Sequence, residues 1–313
     1  MAEPIRYFHR ERRTLETENV YGDGWLRWTY GNPAGRLTLE LLVKRALVSR
    51  LYGWQMNRRF SAQRVLPFIA KYDVDVDEFV KSPFVFKTFN DFFYRALKPG
   101  ARPIAAGEDV AVLPADGRHL AFADVDAQEG YYAKGQTFSL SSLLGETHVP
   151  EAERPLTHAF AGGSIVISRL CPVDYHRFHF PVSGAPGEPK LVNGFLYSVS
   201  PIALRRNLAY LWENKRMITL IESPAFGKVA MVEVGATMVG SILQTFSPGK
   251  PVAKGDEKGL FRFGGSCVIT LFQKGRIRLD ADLLGQSAAQ TEVYARMGER
   301  LGAAVSGLRS EVR

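Results

Sequence analysis

A chain of 313 residues with 46% apolar and 23% charged residues has a globular composition, which excludes a disordered or fibrous protein. Its formal net charge of +8 favours acidic partners: nucleic acid, anionic lipid or an anionic substrate. Cys171 and Cys267 are the only cysteines, with no CxxC and no Cys/His cluster at zinc spacing, so a disulfide framework and a structural zinc site are excluded and a reducing compartment is expected.

Met1–Arg6 lacks the basic-then-apolar shape of a signal peptide. No window approaches ~18 uninterrupted apolar residues, so no spanning helix is expected. The chain is expected to be soluble or to lie on a membrane surface. From Leu37, the residues Leu37, Leu41, Leu42, Ala46, Leu47 and Leu51 recur at helical spacing with Lys44, Arg45 and Arg50 among them. Trp54, Met56, Arg58, Arg59 and Phe60 continue this basic, aromatic character, and Val65–Ile69 follows with Pro67 near a helix start or kink. Basic amphipathic helices bearing Trp and Phe lie in a bilayer interface; an ordinary helix packed on its own domain is the plainer alternative. Basic motifs interleaved with aromatic residues for nucleic acid are lacking, so nucleic acid is not expected as a partner. Asp73–Glu78 reads as an acidic linker. Thr88 is a plausible N-cap for an aromatic helix, with Asp91 three residues on, and Lys98-Pro99-Gly100 ends it.

Beyond Pro103 short apolar runs alternate with turn pairs such as Asp116-Gly117, Glu129-Gly130, Pro186-Gly187 and Asn193-Gly194. Val229–Val234, Met238–Leu243 and Cys267–Phe272 read as strands. Ser200 as N-cap and Pro201 as first residue predict a helix to about Trp212, and Thr291–Leu301 reads as a short charged helix. The expectation is an α+β fold, with a largely antiparallel β core, peripheral helices and an N-terminal amphipathic helical region.

Three places offer chemistry. Gly264-Gly265-Ser266 separates two β-rich runs and reads as a hairpin turn or bulge; alternatively Ser266 is a nucleophile acting on its own peptide bond, with glycine allowing close approach. A near-copy, Gly162-Gly163-Ser164, is a rival site. Cys171–Pro181 holds His176 and His179; in an extended segment residues three apart face opposite sides, so the two histidines would do different jobs. No third ligand lies near them, and no metal site is expected. Asp116 sits in a tight turn, where Asp commonly serves its own backbone. Asp116, a histidine and Ser266 could form an acid–base–nucleophile set, recognised by geometry and not by order. There is no G-x-S-x-G elbow, P-loop or Rossmann fingerprint.

Seven segments, in order, resemble the phosphatidylserine decarboxylase family: Thr88–Arg95, Lys98–Pro103, Pro114–Gly117, Asp174–His179, Val234–Ile242, Lys254–Gly259 and Phe263–Ser266. With Thr291–Leu301 they cover roughly Phe79 to Gly302. The resemblance implies a self-processing proenzyme in which Asp116, His179 and Ser266 form a charge relay. His179 takes the Ser266 proton, Asp116 orients His179, and Ser266 attacks the Gly265 carbonyl to give an ester. Elimination and loss of ammonia leave a covalent pyruvoyl group where Ser266 was, dividing the chain into a large subunit, residues 1–265, and a small one, residues 266–313. The pyruvoyl forms a Schiff base with the substrate amine, and His176 is the favoured acid that returns a proton after carbon dioxide leaves. Cys267 stands where many members carry Thr, and is itself a possible nucleophile.

The expected protein is thus a peripheral lyase on the cytoplasmic side of the cell membrane, converting phosphatidylserine to phosphatidylethanolamine, with a possible homo-oligomeric state. Residues 1–80 would be the membrane-associating region and 81–313 the catalytic domain. The rivals are a pyruvoyl decarboxylase of a soluble amino acid, a serine hydrolase that does not self-cleave, and a non-catalytic lipid-binding protein.

Overall fold

A computed structural model describes residues 4–44, 46–126, 136–237, 241–262, 264 and 266–305. Arg45, Glu129, Gly130, residues 238–240, Phe263 and Gly265, and the side chains of Leu42, Ala46, Leu47 and Arg50, on which parts of the sequence reading fall, lie outside the described set. In chain order the strands are β1 (Arg6–His9), β2 (Thr14–Thr17), β3 (Val110–Val112), β4 (Gly117–Phe122), β5 (Ser164–Leu170), β6 (Arg177–His179), β7 (Ala185–Pro186) and β8 (Lys190–Val192). They continue as β9 (Arg216–Ser223), β10 (Gly227–Gly235), β11 (Ile242–Gln244), β12 (Glu257–Phe261), β13 (Ser266–Phe272), β14 (Ile277–Leu279), β15 (Glu292–Ala295) and β16 (Arg300–Ala304).

The large sheet runs β2-β1-β15-β4-β5-β13-β10-β9-β7, with β8 also on β9. Every pairing in it is antiparallel except β1 with β15. Two three-stranded sheets, β11-β12-β6 and β14-β16-β3, complete the β structure. β5 and β13 are buried along their whole length, which explains their near-continuous Ile/Val/Leu runs: both faces of the sheet are covered. On one face Val166, Val268 and Phe272 pack with Phe178, Phe180 and Phe261. On the other Ile165, Ile167, Cys267 and Ile269 pack with Val232 and Leu211. The α+β expectation with a largely antiparallel core therefore holds.

Helices α1 (Asp23–Gly31), α2 (Pro33–Thr38), α3 (Ala46–Met56), α4 (Val65–Tyr72) and α5 (Phe89–Phe93) lie to one side. The long amphipathic pattern from Leu37 is broken by a π-helical turn at Leu39–Val43. Thr88 caps α5 by accepting the Asp91 N–H, so Phe89, Phe92 and Phe93 pack with Met56, Val65 and Phe68. The helix predicted from Ser200 to Trp212 is two short ones, Pro201–Leu204 and Tyr210–Glu213. Thr291–Leu301 is not helical: β15 and β16 occupy it. There pairing outweighs local preference, for Val293 pairs His119 of β4 and Phe8 of β1, and the Glu292 carboxylate is drawn inward by Arg169.

The N-terminal residues are tied into the sheet by charge as well as by β1. Glu18, buried, receives the Arg169 guanidinium at 2.6 Å, and Arg169 also grips Glu292 at 2.5 Å. Burial alone would raise the Glu18 pKa, but Arg169 and Arg118 outweigh it and lower it to about 2. A carboxylate with a depressed folded pKa stabilises the fold above its ordinary range, and that contribution is lost as pH falls. The urea midpoint is therefore expected to drop as pH goes from about 4.5 towards 2. Glu18→Gln should remove roughly 3 kcal/mol at neutral pH and flatten that limb; an unchanged limb would show that Glu18 is not the titrating group.

Candidate active site

β12 and β13 do not form the hairpin expected around Gly264-Gly265-Ser266. β12 pairs with β6 and β11, whereas β13 pairs with β10 and β5, so the chain crosses here from the small sheet to the large one. Ser266 opens β13 opposite Gly235 on one side and Leu170 on the other. Gly264 takes φ 133°, a conformation that a side chain disfavours. Ser266 is fully buried, and its Oγ has no hydrogen-bond partner among the described residues, an uncommon state for a buried hydroxyl.

Strand alternation separates Ser266 from its two rivals. Cys267 faces the opposite core, and burial pushes its thiol far above the ordinary cysteine range, so it is protonated and shielded. The near-copy leads into β5, the antiparallel neighbour of β13, whose first residue Ser164 sits at the far end opposite Phe272. The Ser164 hydroxyl donates to the Ala123 carbonyl at 2.9 Å and is occupied.

The histidines sit on and just before β6. The Nδ1 of His176 is 3.0 Å from the Asp174 carbonyl, and that of His179 is 2.9 Å from the Gly255 carbonyl. A carbonyl only accepts, so each Nδ1 carries the proton and each Nε2 is left with a lone pair. Both Nε2 atoms are buried without a partner among the described residues. Burial drives the His176 pKa down to about 3; the Asp174 carbonyl opposes this, Arg95 adds to it, and the Gly264 backbone opposes it. Thus His176 is the histidine that lies beside the glycine turn. Its ring packs against that of Phe93, centroids 3.9 Å apart and planes tilted by 38°. The His179 pKa is lowered by burial, against the Gly255 carbonyl, Glu257 and Asp116. Both side chains are neutral bases at neutral pH.

Asp116 is placed differently from the expected relay. Its carboxylate takes a fork from Arg102 Nε and Nη2, at 2.9 and 2.6 Å, and accepts the Met297 N–H at 2.8 Å. No hydrogen bond joins it to His179, whose Nδ1 is already committed to Gly255. Asp116 acts on His179 through space only. A guanidinium fork is the stronger claim on a carboxylate, and Arg102 is close enough to make it.

An apolar cavity of about 260 Å³ opens beside the glycine turn. Gly264, Thr237 and Ser198 line one part, Trp25, Leu26 and Tyr52 of the N-terminal helices another, and Arg169 and Cys171 a third. Among the described residues no cluster of His, Cys, Asp or Glu could hold a metal ion.

The family model described as phosphatidylserine decarboxylase matches residues 89–303. The chain belongs to the phosphatidylserine decarboxylase family. Among similar proteins, the phosphatidylserine decarboxylase proenzyme of Chlamydia trachomatis serovar L2 is 45% identical over 301 residues, 96% of this chain and 98% of that protein. Proteins of the same name from Desulfitobacterium hafniense (41%) and Clostridium kluyveri (43%) each align over 298 residues, 95% of this chain and 98% of theirs. This member of the phosphatidylserine decarboxylase family is accordingly a carboxy-lyase.

Several residues around the site escaped the sequence reading: Arg95, Arg102, the Arg118–Asp174 pair at 2.6 Å, and a buried Glu233–Lys258 pair at 2.8 Å. The available signal was a charge inside an apolar run, such as Glu233 between Val232 and Val234 or Arg169 before Leu170. Asp116→Asn takes the carboxylate from the Arg102 fork, leaving a nearly buried guanidinium with Glu78 alone. Stability in urea should fall by about 3 kcal/mol; a midpoint equal to the parent's would show that the fork contributes nothing in solution.

Proposed function

We propose that the chain is a phosphatidylserine decarboxylase proenzyme that cuts itself between Gly265 and Ser266. The observation that carries this reading is the buried Ser266 hydroxyl, without a hydrogen-bond partner among the described residues, at the fixed start of β13 and two residues after Gly264 at φ 133°. In the proposed step His179 Nε2 takes the Ser266 proton and Oγ attacks the Gly265 carbonyl carbon. The peptide C–N bond breaks, giving an ester and a free Ser266 amine. Loss of the Ser266 Cα proton then expels Gly265 as a carboxylate and leaves an enamine, whose imine form is hydrolysed by water to release ammonia. The residues fit the resulting pyruvoyl group: a lone hydroxyl to form it, glycine upstream, and an apolar cavity alongside. That group supplies an electrophilic carbonyl for the substrate's amine and an electron sink when carbon dioxide leaves.

The remaining work falls to the histidines and the cavity. His179 is proposed as the base of self-cleavage, and His176 as the group that delivers a proton to the substrate carbon. The proximity of His176 to Gly264 favours a second reading, in which His176 also serves the cleavage.

The substrate would arrive from a lipid surface. Trp25, Trp28, Trp54 and Phe60 of the N-terminal region are exposed, at 39%, 43%, 58% and 51%. Arg58 stacks on Trp54 at 4.1 Å, and Trp25 also lines the cavity beside Gly264. One set of helices thus offers both an apolar, basic outer face and the cavity wall, which suits a peripheral protein on anionic lipid; each Lys or Arg near such a surface contributes about 1 kcal/mol. Among the described residues no helix is long and apolar enough to cross a membrane.

Mass spectrometry of the purified protein should show two fragments, with a blocked, pyruvoyl-terminated one beginning at position 266. A single intact chain overturns the proposal. Ser266→Ala and His179→Ala should both stay intact, whereas His176→Ala should be cut but not decarboxylate; an uncut His176→Ala chain would decide for the second reading. Trp54→Glu with Phe60→Glu should abolish sedimentation with phosphatidylserine-containing vesicles at an unchanged melting temperature. Undiminished sedimentation would count against the lipid surface.

A further inference from the structure

The large sheet carries Ser266 and the small sheet carries the histidines, yet covalently they meet only through loops. One polar ring, with a fully buried ion pair at its centre, spans them. Glu233 of β10 pairs with Lys258 of β12 at 2.8 Å, and neither side chain is exposed. Lys258 Nζ donates to Gln244 Oε1 of β11 at 2.8 Å, and Gln244 Nε2 donates back to Glu233 Oε2 at 2.8 Å.

Both ends of the ring sit next to the chemistry. Glu233 faces Val268 across the β10–β13 ladder, and the next inward-facing pair is Gly235 with Ser266. Glu233 is therefore a diagonal neighbour of Ser266 on the same face, about 7–8 Å away. Lys258 occupies the bulge of β12, between Glu257, which pairs with His179, and Gly259, which pairs with Phe178. Its ammonium lies over the Phe178 ring at 5.6 Å and the Phe246 ring at 5.1 Å.

We infer that the Glu233–Lys258–Gln244 ring is a positioning device that sets the small sheet, and with it His176 and His179, in register against Ser266. The apolar packing between the sheets, Phe178 and Phe261 of the small one with Val268 of the large one, is non-directional and tolerates sliding. An ion pair closed by two hydrogen bonds does not. Such a pair adds little net stability over apolar side chains of the same volume, so its effect is in placement. A shift of an ångström between a nucleophile and its base costs about a hundredfold in rate.

This inference rests on the self-processing reading, and the test separates the two. The double substitution Glu233→Met with Lys258→Met replaces the pair by apolar volume without stranding a charge. Freshly refolded chain is followed by gel for the rate of self-cleavage, well below the melting temperature of each variant. The double variant should melt within a few degrees of the parent and cleave at least ~tenfold more slowly, with the pH dependence of the parent, because the base itself is untouched. Cleavage at the parental rate overturns the inference, and so does a shifted pH profile, which would place the pair in proton transfer. Should the double variant fail to fold, Gln244→Leu, which opens the ring but keeps the ion pair, should cleave ~threefold or more slowly with its fold intact, and a parental rate there overturns the inference equally. A parent chain that never cleaves would instead overturn the processing reading itself.

Discussion

β13 is hydrogen-bonded on both flanks from its first residue, to β10 and to β5. That two-sided pairing holds the Ser266 backbone as firmly as any point in the sheet, while the residue two before it is a glycine at φ 133°. The attack proposed for Ser266 on the carbonyl just upstream would need this contrast. Its own Cα has to stay put, and the carbonyl must be free to turn towards it. The change of sheet between β12 and β13 supplies the contrast, because the described residues between them, Arg262 and Gly264, lie outside both strands. The buried hydroxyl, without a partner among the described residues, would find one in the carbonyl it is proposed to attack or in a histidine.

Charge is buried around this point to a degree that apolar packing alone would not require. Glu292, Arg169, Glu18, Arg118 and Asp174 form one network, joined where Glu18 meets both arginines, and Arg102 with Glu78 and Asp116 forms another. Each joins segments distant in sequence, and each is costly to break because the survivor is left charged in a low dielectric. Their shared consequence is geometric. The His segment is fixed by Asp174, whose carboxylate also accepts the Cys171 N–H at 2.6 Å. The N-terminal strand pair is fixed by Glu18, so the helices that wall the cavity are anchored to the sheet that bears Ser266.

Local features were legible in the sequence. Thr88 as an N-cap, Pro201 after Ser200, and the strand character of residues 267–272 depend on nearest neighbours, and the structure has them. Ser266 was singled out from Ser164 by family order, and the structure adds a physical reason, since only Ser164 has its hydroxyl occupied. What was not legible depends on partners far away. Thr291–Leu301 carries charges at helical spacing, but Glu292 is claimed by Arg169 and Val293 by two flanking strands. The glycine turn looks like a hairpin from within, because sheet membership is decided by β6 and β10 and not by the turn. Asp116 needed a partner that spacing could not choose, and Arg102, fourteen residues before it, was the nearer charge.

The two histidines show what replaces the expected carboxylate relay. Each is oriented by a backbone carbonyl on Nδ1, which fixes the tautomer as a carboxylate would but lends no full negative charge to an imidazolium. In a buried site that difference is large: the cationic form is disfavoured, and both pKa values fall accordingly. In the proposed self-cleavage, a base held in this way would take the proton only briefly and pass it on. Asp116, acting on His179 through space from within the Arg102 fork, moderates the penalty without removing it. The site is thus tuned by carbonyls and burial, with the carboxylates spent on holding its walls.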